Sequence, residues 1–260
     1  MTTTLLLDAD IIAYKLAATA QKNFRFPGLD NPAVAPDDFD TLPERIDAEV
    51  AELTQKLKTP NVIICLSCPT ADNWRLKVLP TYKGNRANTI RPVHLQAVKD
   101  YLEANYPSYR RDGLEADDIM GILSTHPSLV KGKKVIVSED KDMKTIPGWL
   151  FNPAKDKAPR LISQDEADHW HLYQTIVGDT TDGYKGCPGL GPKKAEAILD
   201  GWSSYSDSSV WAAVVEAFES KGLTEEDALV QARVARICRA SDYDFKKKEV
   251  ILWTPKHPVS

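Results

Sequence analysis

Nine acids in this 260-residue chain fall into four tight clusters: Asp8 with Asp10, Glu115 with Asp117 and Asp118, Asp140 with Asp142, and Asp179 with Asp182. Glu115 and Asp118 share one helix face by their i, i+3 spacing, and Asp179 and Asp182 follow a predicted helix at the same spacing. Brought together, so many carboxylates repel and need counter-charge. Hard divalent cations with oxygen ligands supply it, and Mg²⁺ typically keeps waters and meets substrate phosphates. Two such ions about 4 Å apart activate a water and stabilise the leaving oxygen in phosphodiester cleavage. Each cluster also has a plain structural reading, as helix-start caps or turn residues. Four clusters, three of them after a predicted strand or opening the adjoining helix, shift the balance toward a metal site.

Two basic stretches complement the acids. Pro188-Gly189-Leu190-Gly191 reads as a tight turn, and Pro192 suits the first turn of a following helix. N–H groups at such a helix start hold phosphate oxygens, and Lys193 and Lys194 add charge. This is the helix–hairpin–helix pattern, which binds duplex backbone without reading sequence. The second stretch is Tyr82-Lys83-Gly84-Asn85-Arg86, followed by Arg91. A Lys or Arg beside bound metals stabilises transition-state charge, and Tyr82 is a candidate for stacking on a base. An ordinary solvated basic loop is the alternative.

The elements that must position these residues are short. "TLLLD" (4–8), "NVIICL" (61–66), "KKVIVS" (133–138) and "WLF" (149–151) read as strands. Helices are expected from "ADIIAYKLAATA", "PERIDAEVAELTQKL", "VHLQAVKDYLEANY" (93–106) and "LEADDIMGILSTH". Residues 21–43 carry four prolines and read as a loop. Ser163 and Glu166 form a capping-box pattern that opens a helix through about Val177. Helical stretches follow near 207–220 and 224–239, and "KKKEVILW" is a possible last strand. The expectation is therefore an α/β fold: residues 1–160 carry a mostly parallel central sheet flanked by helices, and 161–260 form a helical, hairpin-bearing region. Acids at strand ends would then meet at the carboxyl edge of the sheet, where such folds bind ligands.

Composition bounds the rest. Charged residues are 27% and hydrophobic residues 42%, a globular balance, and no apolar run is long enough to span a membrane. The N-terminus lacks signal-peptide character, so a cytoplasmic location is expected. Cys65 and Cys68 have no nearby partners for a zinc site, and His169 and His171 point to different sides of one helix. The net charge of −4 argues superficially against nucleic acid. Setting the nine clustered acids aside from the total of 37 leaves 28 against 33 Lys and Arg, a basic surround for an acidic centre.

Taken in order, "NWRLKVLPTYKGNR", "LEADDIMGI", "VIVSEDKDMKTIP" and "WHLYQTIVGDTTDGYKGCPGLGPKKA" resemble the flap-endonuclease-like 5′–3′ exonucleases, nearest their phage T7-like branch. The resemblance runs from "LLLDAD" to "KKKEVILW". It implies a PIN-like nuclease domain that cuts DNA or RNA primers from 5′ ends and flaps during phage DNA replication. It implies two Mg²⁺ or Mn²⁺ ions on Asp8, Glu115, Asp117, Asp118, Asp140, Asp142, Asp179 and Asp182. Lys83 matches the family's catalytic lysine, with Arg86 in the same segment. Residues 82–106 match the region that can arch over a single strand. Gly189, Gly191, Lys193 and Lys194 match the duplex-binding hairpin, whose carbonyls can also hold K⁺. RNA–DNA hybrids and replication proteins are further expected partners, and the protein is expected to be a monomer. One departure stands out: the family usually places an acid at the end of its second strand, whereas this chain has Ser67 and Cys68 there and the next acid is Asp72. Two rival readings stay open. One is a catalytically silent protein that binds DNA structure through the hairpin; the other is a single-strand ribonuclease on a related scaffold.

Overall fold

The computed structural model describes residues 2–26, 28, 32–86, 89–202, 204–205 and 208–255. Positions 87 and 88 of the arch-like segment, and 27 and 29–31 of the Pro-rich segment, lie outside that set.

The first strand, β1 (Thr3–Asp8), is buried on both faces, as a continuous Leu run in a parallel sheet should be. It leads into α1 (Ala9–Thr19), and Asp8 caps that helix by accepting the Ile11 N–H. An exposed antiparallel hairpin follows, β2 (Gln21–Phe24) with β3 (Ala33–Pro36). The Pro-rich stretch is thus partly strand; its side chains face solvent and carry no burial pattern to reveal it. Then come α2 (Leu42–Lys56), β4 (Val62–Cys65), α3 (Leu95–Asn105), β5 (Ser108–Tyr109), α4 (Ala116–Thr125), β6 (Lys133–Val137), β7 (Gly148–Phe151) and β8 (Arg160–Ile162).

The six-stranded sheet has the order β5-β4-β1-β6-β7-β8. All its pairings are parallel except β7 with β8. In register, Leu7 lies beside Ile64 and Val137, so β1, β4 and β6 end together. One face of the sheet packs on α1, α2 and α3 through Ile12, Ile46, Val50, Val98 and Leu102. The other packs on α4 through Ile119, Met120 and Leu123. Because Val98 and Leu102 are fully buried, α3 is a core helix. Residues 95–105 therefore do not form an arch, contrary to the sequence expectation for 82–106.

The helical region comprises α5 (Gln164–Val177), α6 (Pro192–Leu199), α7 (Ser208–Glu219) and α8 (Glu225–Ala235), with its own core around Ile176, Ala195, Val214, Phe218 and Ala232. The chain then returns. Ile237, Cys238 and Tyr243 pack into the core beneath α4, and β9 (Tyr243–Asp244) pairs with β10 (Glu249–Val250). Residues 237–243 thus rejoin the α/β core, whereas Trp253 packs back on the helical region against His171 and Trp211. Gly121 permits the return, since a Cβ there would sit 2.2 Å from the Cys238 carbonyl oxygen.

Between α5 and α6 the backbone crosses itself closely. Gly178 (φ +73°) and Gly186 (φ +63°) face each other, and a Cβ on Gly186 would lie 2.4 Å from the Gly178 nitrogen and from the Ile176 oxygen. Gly186→Ala should therefore cost about 3 kcal/mol or more in urea unfolding, from backbone clash added to left-handed strain. Gly189 also has positive φ (+74°) but open space around it. Gly189→Ala should cost only about 1 kcal/mol. Equal losses would show that the crossing is not tight.

Candidate active site

The carboxyl ends of β1 and β6 and the first turn of α4 bring three acid clusters together. Asp8 is 3% exposed. It takes the Ile11 N–H on one oxygen (3.2 Å) and the Ser138 hydroxyl on the other (2.6 Å). The same hydroxyl oxygen accepts the Asp140 N–H at 3.0 Å, so Ser138 ties Asp8 to the turn after β6. Asp140 in turn caps that turn by accepting the Asp142 N–H at 2.8 Å. Burial, with the nearby charges of Asp10 and Asp140, pushes the Asp8 carboxyl up to about 7. Burial and the charges of Asp8 and Asp140 push Asp117 well above the carboxylate range. Asp10 has a counter-charge in Lys99, 2.8 Å away, whereas Asp8, Asp117 and Asp140 repel one another without an ion pair of their own among the described residues.

The remaining acids are paired. Glu115 meets Lys83 Nζ and Arg75 Nη1 (3.0 Å). Burial alone would raise the Glu115 carboxyl, but Lys83 and Arg75 outweigh it and hold it below its ordinary value. Asp182 meets Arg86, with Lys83 Nζ 3.6 Å away. Lys83 has φ +53°, unusual for a residue with a Cβ, and its N–H is held by the Asp182 carbonyl at 2.8 Å. Asp179 accepts the Thr181 and Asp182 N–H groups and closes its own turn. Lys141 bridges Asp142 (2.9 Å) and Asp179 (2.6 Å). Burial and the charge of Asp140 raise Asp142 to about 6 despite that lysine.

Two expectations are corrected here. Asp118 is fully buried, and its oxygens are taken by Arg75 (2.9 Å twice), Trp74 Nε1 (3.0 Å), the Cys238 N–H (3.0 Å) and the Glu115 N–H (3.2 Å). It has no oxygen to offer a metal and is a structural anchor. Tyr82 is 4% exposed, packed against Tyr184, Val234 and Ala235. Its hydroxyl bonds Glu115 (2.9 Å) and Asp182 (3.1 Å), so its ring cannot stack on a base. Asp72 is exposed on a neighbouring 3₁₀ turn. At the second-strand corner Ser67 accepts the Ala116 N–H, capping α4 where the family has an acid.

Sequence reading missed two residues. Ser138 carried no signal beyond closing a strand. Arg75 lies in the basic stretch "NWRLKVLPTYKGNR" with nothing local to mark it out, yet it is 2% exposed. It grips Asp118 with both arms, touches Glu115, and donates to the Val234 (2.9 Å) and Arg236 (2.7 Å) carbonyls. Its partners come from two separate segments, 115–118 and 234–236, a link that no local motif encodes.

The glycine turn follows the crossing in sequence, three residues after Gly186, whereas Asp182 lies in the loop that the crossing closes. Gly189, Gly191, Lys193 and Lys194 are exposed, and Gly191 is the N-cap of α6. Lys194 Nζ reaches back to the Gly189 carbonyl at 3.1 Å. Arg91 is exposed as well.

As they stand, no three acid, histidine or cysteine side chains among the described residues form a ready-made cage for one ion. Lys83, Arg86 and Lys141 turn several carboxylates toward themselves instead. The donor set nonetheless suits a hard divalent cation: it is all oxygen, and Asp8 and Asp117 are held in repulsion that added positive charge would relieve.

Among the described residues no helix is long and apolar enough to cross a membrane. Comparison with known proteins gives the family. A family model for the N-terminal resolvase-like domain of 5′-3′ exonucleases matches residues 41–148. The chain is 32% identical to the exodeoxyribonuclease of Enterobacteria phage T3 over 235 residues, covering 78% of this chain and 77% of that protein. It is 32% identical to the exonuclease of Escherichia phage T7 over 231 residues, with the same coverage. Among solved structures, a bacteriophage T5 D15 flap endonuclease crystallised with DNA and metal ions shares the fold, with a TM-score of 0.64 at 15% identity, over 90% of this chain and 89% of that one. The acids gathered at the sheet's carboxyl edge and the exposed glycine turn beyond them thus stand in a chain that belongs to the 5′-3′ exonuclease family.

Proposed function

We propose that this protein is a metal-dependent nuclease that hydrolyses phosphodiester bonds at the 5′ ends and flaps of DNA, and of RNA primers paired to DNA. The observation that carries this reading is the gathering of Asp8, Asp117 and Asp140, whose burial and mutual charge push the Asp8 and Asp117 carboxyls up, next to a lysine held in a strained backbone conformation. Asp8, Glu115, Asp117, Asp140, Asp142, Asp179 and Asp182 would hold two Mg²⁺ or Mn²⁺ ions. When bound, such ions supply an activated water and charge neutralisation at the leaving oxygen. Lys83 would move from Glu115 to the scissile phosphate and stabilise its developing charge, with Arg86 and the exposed Arg91 guiding the strand. Gly189 and Gly191 would present backbone N–H groups to a duplex phosphate, with Lys193 and Lys194 beside them. The carbonyls of that turn are the place for K⁺. The product would carry a 5′-phosphate. We place this activity in phage DNA replication, by a monomer in the host cytoplasm.

Proton release sets the pH dependence. A cation entering this site must displace protons from Asp8 (about 7), Asp142 (about 6) and the raised Asp117. Mn²⁺ affinity should therefore climb steeply from about pH 5 to about pH 8, through the Asp142 and Asp8 values. Titration calorimetry in two buffers of different ionisation enthalpy reads both affinity and protons released. A flat affinity with no proton release would count against the carboxylate assignment.

The function itself is tested with one 5′-flapped duplex, labelled in parallel at its 5′ and 3′ ends, in Mg²⁺, Mn²⁺ or EDTA. The expected result is short 5′-labelled products with either metal and none in EDTA. Tight binding with no product at any enzyme concentration would favour the silent structure-binding reading. Equal cleavage of unstructured RNA would favour the ribonuclease.

A further inference from the structure

The two halves of the acidic cleft differ in what neutralises them. Asp8 is held only by neutral donors, the Ile11 N–H and the Ser138 hydroxyl, and Asp140 accepts a backbone N–H from Asp142. Across the cleft, Asp142, Asp179 and Asp182 each carry a cationic partner, Lys141 for the first two and Arg86 for the third. Lys141 is the most exposed of these cations, with 67% of its side chain open to solvent. It nevertheless spans two acids from different elements, one on the turn after β6 and one on the turn after α5. Its Nζ lies 2.9 Å from Asp142 Oδ1 and 2.6 Å from Asp179 Oδ2. The other Asp179 oxygen is committed to the Thr181 and Asp182 N–H groups, so Lys141 holds the only Asp179 oxygen free of backbone bonds.

We infer that Lys141 is a built-in competitor for the second divalent cation, occupying the Asp142–Asp179 pair until that cation displaces it. The inference rests on the metal-nuclease reading above and adds an order of events to it. The first cation enters the Asp8–Asp117–Asp140 half, where no side chain must leave. The second must expel a monovalent ammonium from between two carboxylates. An exposed lysine pair is weak enough to be expelled, yet its presence lowers the apparent affinity of whatever replaces it. Lysine suits the role because its charge is compact and sits on a flexible stem that swings into solvent. The second ion would therefore load late and weakly, so that the cleft is fully charged only when a substrate phosphate adds its own negative charge.

The test is Mn²⁺ binding to the full chain at pH 8 and low salt, followed by the electron paramagnetic resonance of free Mn²⁺. Wild type, Lys141→Gln and Lys141→Arg are compared. Wild type should show a stronger and a weaker class of site. Lys141→Gln should tighten the weaker class about tenfold and leave the stronger class within about twofold. Lys141→Arg, which keeps the charge, should stay near wild type in both. A weaker class that is unchanged or loosened in Lys141→Gln would overturn the inference, the loosened case marking Lys141 as a clip that shapes the site. No Mn²⁺ uptake by any of the three would overturn the metal-centre reading itself, a failure distinct from unchanged affinity in two observed classes.

Discussion

Asp8→Asn should lose about 10³-fold or more of Mg²⁺-dependent cleavage while making the metal-free protein more stable at pH 8. The two effects share one cause. Asp8 sits in a dry position facing other acids, and its carboxyl is raised to about 7. For a carboxyl raised on folding, the native state is favoured while the group is protonated, and that contribution is lost as pH rises through the folded value. At pH 8 the aspartate is charged and strained; at pH 5 it is protonated and nearly isosteric with asparagine. The gain should be about 1–2 kcal/mol at pH 8, be smaller at pH 5, and vanish only below the unfolded value of about 4. Asparagine can keep both local bonds: its oxygen accepts the Ile11 N–H, and its amide donates to the Ser138 hydroxyl. Thermal melts of the metal-free proteins at the two pH values check this. A lower melting temperature at pH 8 would mean that Asp8 is a structural acid like Asp118.

Asp118→Ala should do the opposite. It removes the carboxylate that both arms of the buried Arg75 grip, and leaves the Trp74 indole N–H and the Cys238 N–H without their acceptor. Breaking one side of a buried ion pair costs about 3–5 kcal/mol, because an uncompensated charge stays inside. Burial would raise the Asp118 carboxyl, but Arg75 overrides it and holds the carboxyl below its ordinary value, so the pair is charged throughout the neutral range. Urea unfolding should show the loss at constant m-value, with any activity of the surviving folded fraction read separately. A double variant, Arg75→Met with Asp118→Leu, should recover much of the stability, since it removes both charges together. It should still cleave poorly, because Glu115 would have lost its Arg75 contact. A loss below about 1 kcal/mol in Asp118→Ala would contradict the anchoring role.

Asp117 and Asp118, neighbours in one motif, show how far a sequence can be read. That acids would gather at a sheet edge was legible, because a run of buried Leu ending in Asp8 and a β-branched run leading to Asp140 can only be parallel strands with acids at their carboxyl ends. Which acids stay free was not legible. Asp117 and Asp118 are adjacent and chemically equal, yet successive helix positions point different ways. One meets the cleft and the other meets Arg75 and the returning chain at Cys238. That return spans 120 residues, and only the tertiary fold supplies it. Tyr82 was misread for the same reason, since its cover comes from Tyr184, Val234 and Ala235. The burial of α3 was visible in the i, i+4 pair Val98 and Leu102, but the family's arch obscured it. The strands β5, β9 and β10 span two residues each, too short for any periodicity to mark.

The central claim is that an acid centre and a duplex-gripping turn are held at a fixed offset by the crossing of Gly178 and Gly186. Cleavage of a 5′-flapped duplex mapped at single-nucleotide resolution tests it most directly. With Mg²⁺, wild type should cut within about one nucleotide of the flap junction whatever the flap length. Gly186→Ala, read on its folded fraction, should spread the cuts over several positions. Cuts scattered along the flap by the wild-type protein, or cleavage that persists in EDTA, would contradict the account.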